Sequence, residues 1–243
     1  MRIVSLVPSI TEALFDLGLT TKEVVGRTKF CIHPSDEIQN VEVVGGTKNI
    51  KIDKIKGLKP DLVIANKEEN VRAQIEELEQ YLNVWVTNIE TVEDNYYFLK
   101  QLGNLIHQQK RAQLFNLRIY EVLQAQKLAQ SLKTAYLIWQ NPYMSIGSDT
   151  FIHHILSELG FENIFKNKKS YPEISLEDLE DAEVIMLSSE PFPFKEKHIA
   201  ELQIYFPEKT ILIVDGEAFS WYGTHLAKCG EYFQKLVQKF TES

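Results

Sequence analysis

Read for its apolar and polar positions, the chain alternates between short apolar runs and amphipathic stretches. Residues 3–7 form an apolar run that ends at Pro8, which reads as a strand entering a turn. Ser9 and Glu12 stand three apart at the head of a stretch carrying Ala13, Leu14, Phe15 and Leu17. That spacing predicts a helix in which Ser9 caps the backbone, Glu12 reaches back, and Gly18 ends the run. Further strands are predicted at 24–26, 41–44, 60–65 and 84–86, and helices over 50–58 and 71–81. Strands alternating with short helices predict a three-layer α/β lobe with a parallel sheet.

The texture changes near residue 92. From 92 to 133 there is no proline and a single glycine, Gly103, and good helix formers dominate. Residues 108–131 are predicted to form one helix of about 24 residues, roughly 36 Å long at 1.5 Å per residue. A rod of that kind is a stiff spacer. The alternation then resumes, with strands predicted at 134–139, 183–187 and 211–214. Helices are predicted over 150–159 (stopped by Gly160), from Ser175 as a cap, over 194–205, and over most of 223–240. Stretches 50–68 and 172–190 share one layout, a short acidic helix followed by an apolar strand. The expected architecture is therefore α/β: two three-layer α/β lobes joined by a long rigid helix. The divisions are an N-terminal lobe at 1–90, a helical linker at 91–133 and a C-terminal lobe at 134–243.

Charge and composition remove several classes. Asp and Glu number 34 against 26 Lys and Arg, a net charge of −8, so the chain lacks the basic face that nucleic acid needs. No apolar stretch reaches the roughly 18 residues of a membrane helix. Two cysteines, Cys31 and Cys229, do not make a disulfide scaffold and are expected to be separate thiols. Arg2-Ile3-Val4 already reads as strand, so this sequence shows no secretory leader, and a cytoplasmic location is expected if the sequence is complete.

The strong catalytic and cofactor motifs are missing. There is no G-x-G-x-x-G, no P-loop spacing around Gly45-Gly46-Thr47-Lys48, no G-x-S-x-G and no H-E-x-x-H. His153 and His154 are adjacent on a predicted helix and point apart, so no metal site, catalytic group or intrinsic cofactor is expected there. What stands out is a set of aromatic and polar residues just past strand ends, where open α/β sheets bind ligands. They are Phe30, His33 and Asn66, then Tyr143, Met144 and Tyr171, then Glu217, Trp221 and His225.

Four segments carry a resemblance: "RIVSLVPSITEALFDLG" (2–18), "LKPDLVIANKE" (58–68), "GFENIFKNKKSYPEISLEDL" (160–179) and "DGEAFSWYGTHL" (215–226). In that order they resemble the helical-backbone substrate-binding proteins of ABC importers for cobalamin, ferric siderophores and haem, most of all the cobalamin-binding members. The resemblance implies a ligand held by residues of both lobes, with Phe30, Thr47, Asn66, Tyr143 or Met144, Tyr171, Glu217 and Trp221 as its contacts. Thr47 and Asn66 are polar where the cobalamin-binding members carry aromatics, so the ligand stays open among a cobalamin, a ferric siderophore and a haem. The resemblance further implies a permease dimer as partner, docked through Asp53 and Glu177, and a place outside the inner membrane, with an export leader removed. Two alternatives stay open. One is a cytoplasmic binding or sensing protein of the same fold. The other uses His33, Glu217 and His225 as acid–base groups, or His33 and His225 as metal ligands from opposite lobes.

Overall fold

The computed structural model describes residues 1–241. The chain forms two compact units. One comprises Met1–Ile89, Glu93–Ile119 and Tyr222–Ala227; the other comprises Glu90–Val92, Tyr120–Trp221 and Lys228–Ser243.

The first unit opens with β1 (Ile3–Ser5), α1 (Pro8–Asp16), β2 (Val24–Arg27), β3 (Glu42–Val43) and a tight hairpin of β4 (Gly45–Gly46) and β5 (Asn49–Ile50). It continues through α2 (Ile52–Gly57), β6 (Leu62–Asn66), α3 (Arg72–Glu79), β7 (Val84–Thr87) and α4 (Val92–Leu105), and takes in α5 (Gln109–Ala125) as far as Ile119. Its sheet runs in the order β3-β2-β1-β6-β7, with every pairing parallel. Parallel strands need crossovers, and helices supply them and cover the sheet. Val4, Val63 and Ala65 pack on one face with Ile55 of α2 and with Ile75 and Leu78 of α3. Alternate residues Ile3, Ser5 and Ile64 point the other way and are also buried.

The second unit contains β8 (Leu132–Leu137), β9 (Tyr143–Met144), α6 (Phe151–Leu159), β10 (Phe161–Asn163), β11 (Glu173–Ile174) and β12 (Val184–Ser188). It ends with α7 (Glu196–Tyr205), β13 (Thr210–Val214), α8 (Gly216–Ser220) and α9 (Gly230–Gln238). Its parallel sheet runs β10-β8-β12-β13. Ala135, Leu137, Ile185 and Leu187 face Phe194 and, from α7, Leu202. On the opposite face Tyr136 stacks on Phe219 of α8 at 5.3 Å, and Phe219 meets Phe233 of α9 at 5.6 Å. Both units are thus three-layered α/β, as the alternation of strands and helices predicts.

Four local expectations are corrected. The single helix over 108–131 is shorter: α5 stops at Ala125, and residues 126–131 turn into β8. Upstream, His107 takes a left-handed backbone (φ 57°), which separates α4 from α5. The Ser9 cap does not form, because Pro8 enters the first helical turn and moves the N-cap back to Val7. Ser175 does not cap from its side chain either; its N–H and hydroxyl both donate to Asp178, at 2.8 and 3.2 Å. The stretch 223–240 divides into a 3-10 turn at His225–Lys228 and α9. By contrast, Thr150 caps α6 by accepting from the His153 N–H, and Gly160 ends it at φ 88°.

Candidate functional site

In the first unit, Phe30 and His33 lie just beyond β2. Phe30 is 49% exposed, a large apolar ring facing solvent. Its edge rests on the β4–β5 hairpin: a Cβ on Gly46 would lie 3.3 Å from Phe30 Cε2. The Lys29 ammonium stands 4.9 Å from the centre of the Phe30 ring. Thr47, at the hairpin tip, is buried, and its carbonyl accepts from Asn70 Nδ2 at 3.0 Å. Asn66, at the end of β6, is also buried. Its side-chain oxygen accepts from the N–H groups of Glu68 and Glu69, and its amide donates to Thr87. Asn66 thereby shapes the turn that follows β6. Glu69 in that turn has its carboxyl pushed above the usual range by burial, an effect the Lys48 charge opposes.

His225 belongs to this same unit, although it lies near the end of the sequence. Its Nδ1 is 2.8 Å from Glu12 Oε2, and its ring centre is 6.3 Å from that of His33. Glu12, read as a capping residue, is instead nearly fully buried and turned toward this histidine. The expectation that His33 and His225 approach from opposite lobes is corrected, because both lie in one compact unit. Asp53 is exposed in the first turn of α2, where the helix dipole favours a carboxylate.

In the second unit, Tyr143 and Met144 form β9. It pairs antiparallel with β11, so Glu173 meets Met144 and Ile174 meets Tyr143. Tyr171 and Pro172 lead straight into β11, and Ser145 N–H donates to the Pro172 carbonyl at 3.0 Å. Two segments 28 residues apart in the sequence are therefore brought together. Burial pushes the Tyr143 phenol up; the hydrogen bond from Gln140 Nε2 at 3.1 Å pulls the other way.

Trp221 is buried and donates from Nε1 to Glu190 Oε1 at 3.1 Å; Ser220 Oγ donates to the same oxygen at 3.0 Å. Glu217 sits partly buried in the first turn of α8, where its N–H donates to Asp215 Oδ1. Glu177 is exposed, and its carboxyl is held low by its own backbone N–H and by the Ser175 hydroxyl.

Three neighbours of these residues were not singled out from the sequence. Trp139 is 40% exposed, lies just past β8, and its carbonyl accepts from Met144 N–H. Glu190, just past β12, gathers the Trp221 and Ser220 donors. Lys29 precedes Phe30. All three follow a strand end, which was the available signal. Among the described residues, no group of three or more His, Cys, Asp or Glu side chains is placed to hold a metal ion. Both cysteines are buried and in no disulfide; burial pushes the Cys31 thiol up. No helix among the described residues is long and apolar enough to cross a membrane.

The sequence model of the periplasmic binding protein family matches residues 3–191. This chain belongs to the periplasmic binding protein family. The members of this family are binding proteins. One curated relative, the vitamin B12-binding protein of Salmonella typhimurium, is 29% identical over 184 residues, covering 73% of this chain and 68% of its own length. The fold of this periplasmic binding protein is like that of the periplasmic vitamin B12 binding protein BtuF of Vibrio cholerae. The TM-score is 0.83 at 21% identity, over 100% of this chain and 98% of the other. It is equally like that of the periplasmic heme-binding protein BhuT in complex with two hemes, with a TM-score of 0.83 at 16% identity over 98% of each chain.

Proposed function

We propose that this chain is the substrate-binding component of an ABC importer, taking a metal-containing ligand of the cobalamin, ferric siderophore or haem class and passing it to a permease dimer. The match of the family model over residues 3–191 carries this reading. The fold it shares with a vitamin B12-binding and a haem-binding structure supports the ligand class. It acts outside the inner membrane and catalyses no reaction. The residues proposed to contact the ligand are Phe30, His33, Thr47, Asn66, Tyr143, Met144, Tyr171, Glu217, Trp221 and His225. The exposed Phe30 ring suits a flat ligand, because a π-face stacks at little entropic cost. Asp53 and Glu177 dock on the permease through exposed carboxylates, which chiefly set encounter rate and register.

Titration with cyanocobalamin, haemin and ferric siderophores, followed by absorbance and tryptophan fluorescence, tests the ligand. Micromolar or tighter binding of one class, about −8 kcal/mol, is the expected result. Nothing tighter than about millimolar for any of them would overturn the reading. Asp53→Ala and Glu177→Ala should leave ligand affinity unchanged while slowing association with the reconstituted permease.

A further inference from the structure

Lys29 is one of the lysines of this acidic chain that stand outside its ion pairs among the described residues, as does Lys56, which lies over the exposed Tyr81 ring at 3.7 Å. Lys54 pairs with Glu42, Lys166 with Glu162 and Lys235 with Glu231. Lys29 has no carboxylate within ion-pair distance among the described residues. Its ammonium is placed instead over the exposed Phe30 ring, 4.9 Å from the ring centre. The placement is built by the backbone. Lys29 N–H donates to the Gly45 carbonyl at 2.8 Å, which ties the turn after β2 to the β4–β5 hairpin. Gly46 is the floor for both side chains: a Cβ there would lie 3.3 Å from Phe30 Cε2 and 3.5 Å from Lys29 Cε. The pair is therefore a half-exposed aromatic ring with a positive charge at a set distance, and that charge has no partner anion among the described residues.

That combination recognises a particular chemistry. A flat apolar ligand covers the ring, and an anionic group at the ligand's edge meets the ammonium in a charge-assisted hydrogen bond. A ligand of the same shape whose acids are blocked as esters or amides would cover the ring and leave the ammonium partly desolvated without an anion. We propose that Lys29 is a specificity-determining residue that favours a flat metal chelate carrying free carboxylates over one whose acids are capped. The proposal rests on the transport reading above and narrows it from three ligand classes to the carboxylate-bearing one.

The test compares haemin with its dimethyl ester, and both with cyanocobalamin, on the wild-type chain and on Lys29→Gln and Lys29→Arg. An exposed ion pair is worth little, so the expected discrimination is modest, about two- to fivefold. The wild type should bind haemin more tightly than the ester by that factor. Lys29→Gln should erase the preference by weakening haemin alone, and Lys29→Arg should restore it. Raising the salt from about 0.05 to 0.5 M should shrink the preference in the wild type only. Equal losses for acid and ester in Lys29→Gln, or no loss for either, overturn the proposal. So does a wild type that takes cyanocobalamin and neither porphyrin, an outcome that leaves the transport reading standing. Failure to bind any of the probes, ferric siderophores included, removes that reading itself.

Discussion

In the first unit, Asn95 on α4 grips both backbone groups of Gly223, 128 residues further along the chain; its Oδ1 accepts at 2.6 Å and its Nδ2 donates at 3.2 Å. Thr224 donates to Asp16 at 2.5 Å and His225 meets Glu12 at 2.8 Å, across more than 200 residues of sequence. In the second unit, Glu190 collects Ser220 and Trp221 from about 30 residues away, and Ser188 links Tyr136 to the Glu190 carbonyl. The first unit is completed by a segment that arrives late in the chain and is held by polar side chains. The second ties Tyr136, Ser188, Glu190, Ser220 and Trp221 together over shorter separations and adds an aromatic stack of Tyr136, Phe219 and Phe233. Similar layering thus coexists with different sequence separations, and closing the longer separations costs more chain entropy.

The largest expected effect lies in the aromatic stack. Phe219→Ala empties the space between Tyr136 and Phe233 and should cost about 3–5 kcal/mol, read from urea unfolding by circular dichroism. A loss below about 1 kcal/mol would mean that the stack is not what holds that face.

Next comes the long-range grip. Asn95→Ala leaves a buried N–H and carbonyl of Gly223 without this partner and should cost about 2–3 kcal/mol. Asn95→Asp keeps an acceptor for the N–H and should recover part of that. If both variants were as stable as wild type, the late segment would not complete the first unit.

Trp221→Phe keeps an aromatic ring and removes the Nε1 donor to Glu190, for about 1–2 kcal/mol. A matching loss in Glu190→Gln would tie the effect to the carboxylate, and additive losses in the double variant would argue against a shared bond.

The smallest effect concerns pH in the first unit. Burial raises the folded-state Glu69 carboxyl above its unfolded value, so the folded state holds the proton longer and stability falls as pH rises through that interval. Glu69→Gln should flatten this fall and raise the midpoint of thermal unfolding at pH 7. A Glu69→Gln melting curve that tracks wild type from pH 4 to 8 would place the group in water.

Much of this layout was legible in the alternation of apolar runs. The strands at 60–65, 183–187 and 211–214 were readable because Val, Ile and Leu in unbroken runs suit parallel strands buried on both faces. Gly160 was readable as a helix stop because a left-handed residue there favours glycine. The error at Ser9 arose because a capping-box spacing competes with Pro8, which also favours the first turn, and the proline prevailed. The 108–131 helix was overextended because good helix formers say little about where tertiary packing turns a chain. Strand-end position made Phe30, Tyr143 and Trp221 candidates, and the same signal was present at Lys29, Trp139 and Glu190. The His225 partnership with Glu12 had no local signal at all.

Periodicity and net charge are local or summed properties, so the chain alone was enough for most strands and helices, for their parallel pairing and for the acidic balance. Only the folded chain shows that residues 222–227 complete the first unit, that Glu12 meets His225, and that Lys29 stands over an exposed ring with no counter-charge among the described residues. Those are through-space relations between residues up to 213 positions apart. Only the backbone path that packs the sheets and tightens the Gly45–Gly46 hairpin brings such groups within a few ångströms.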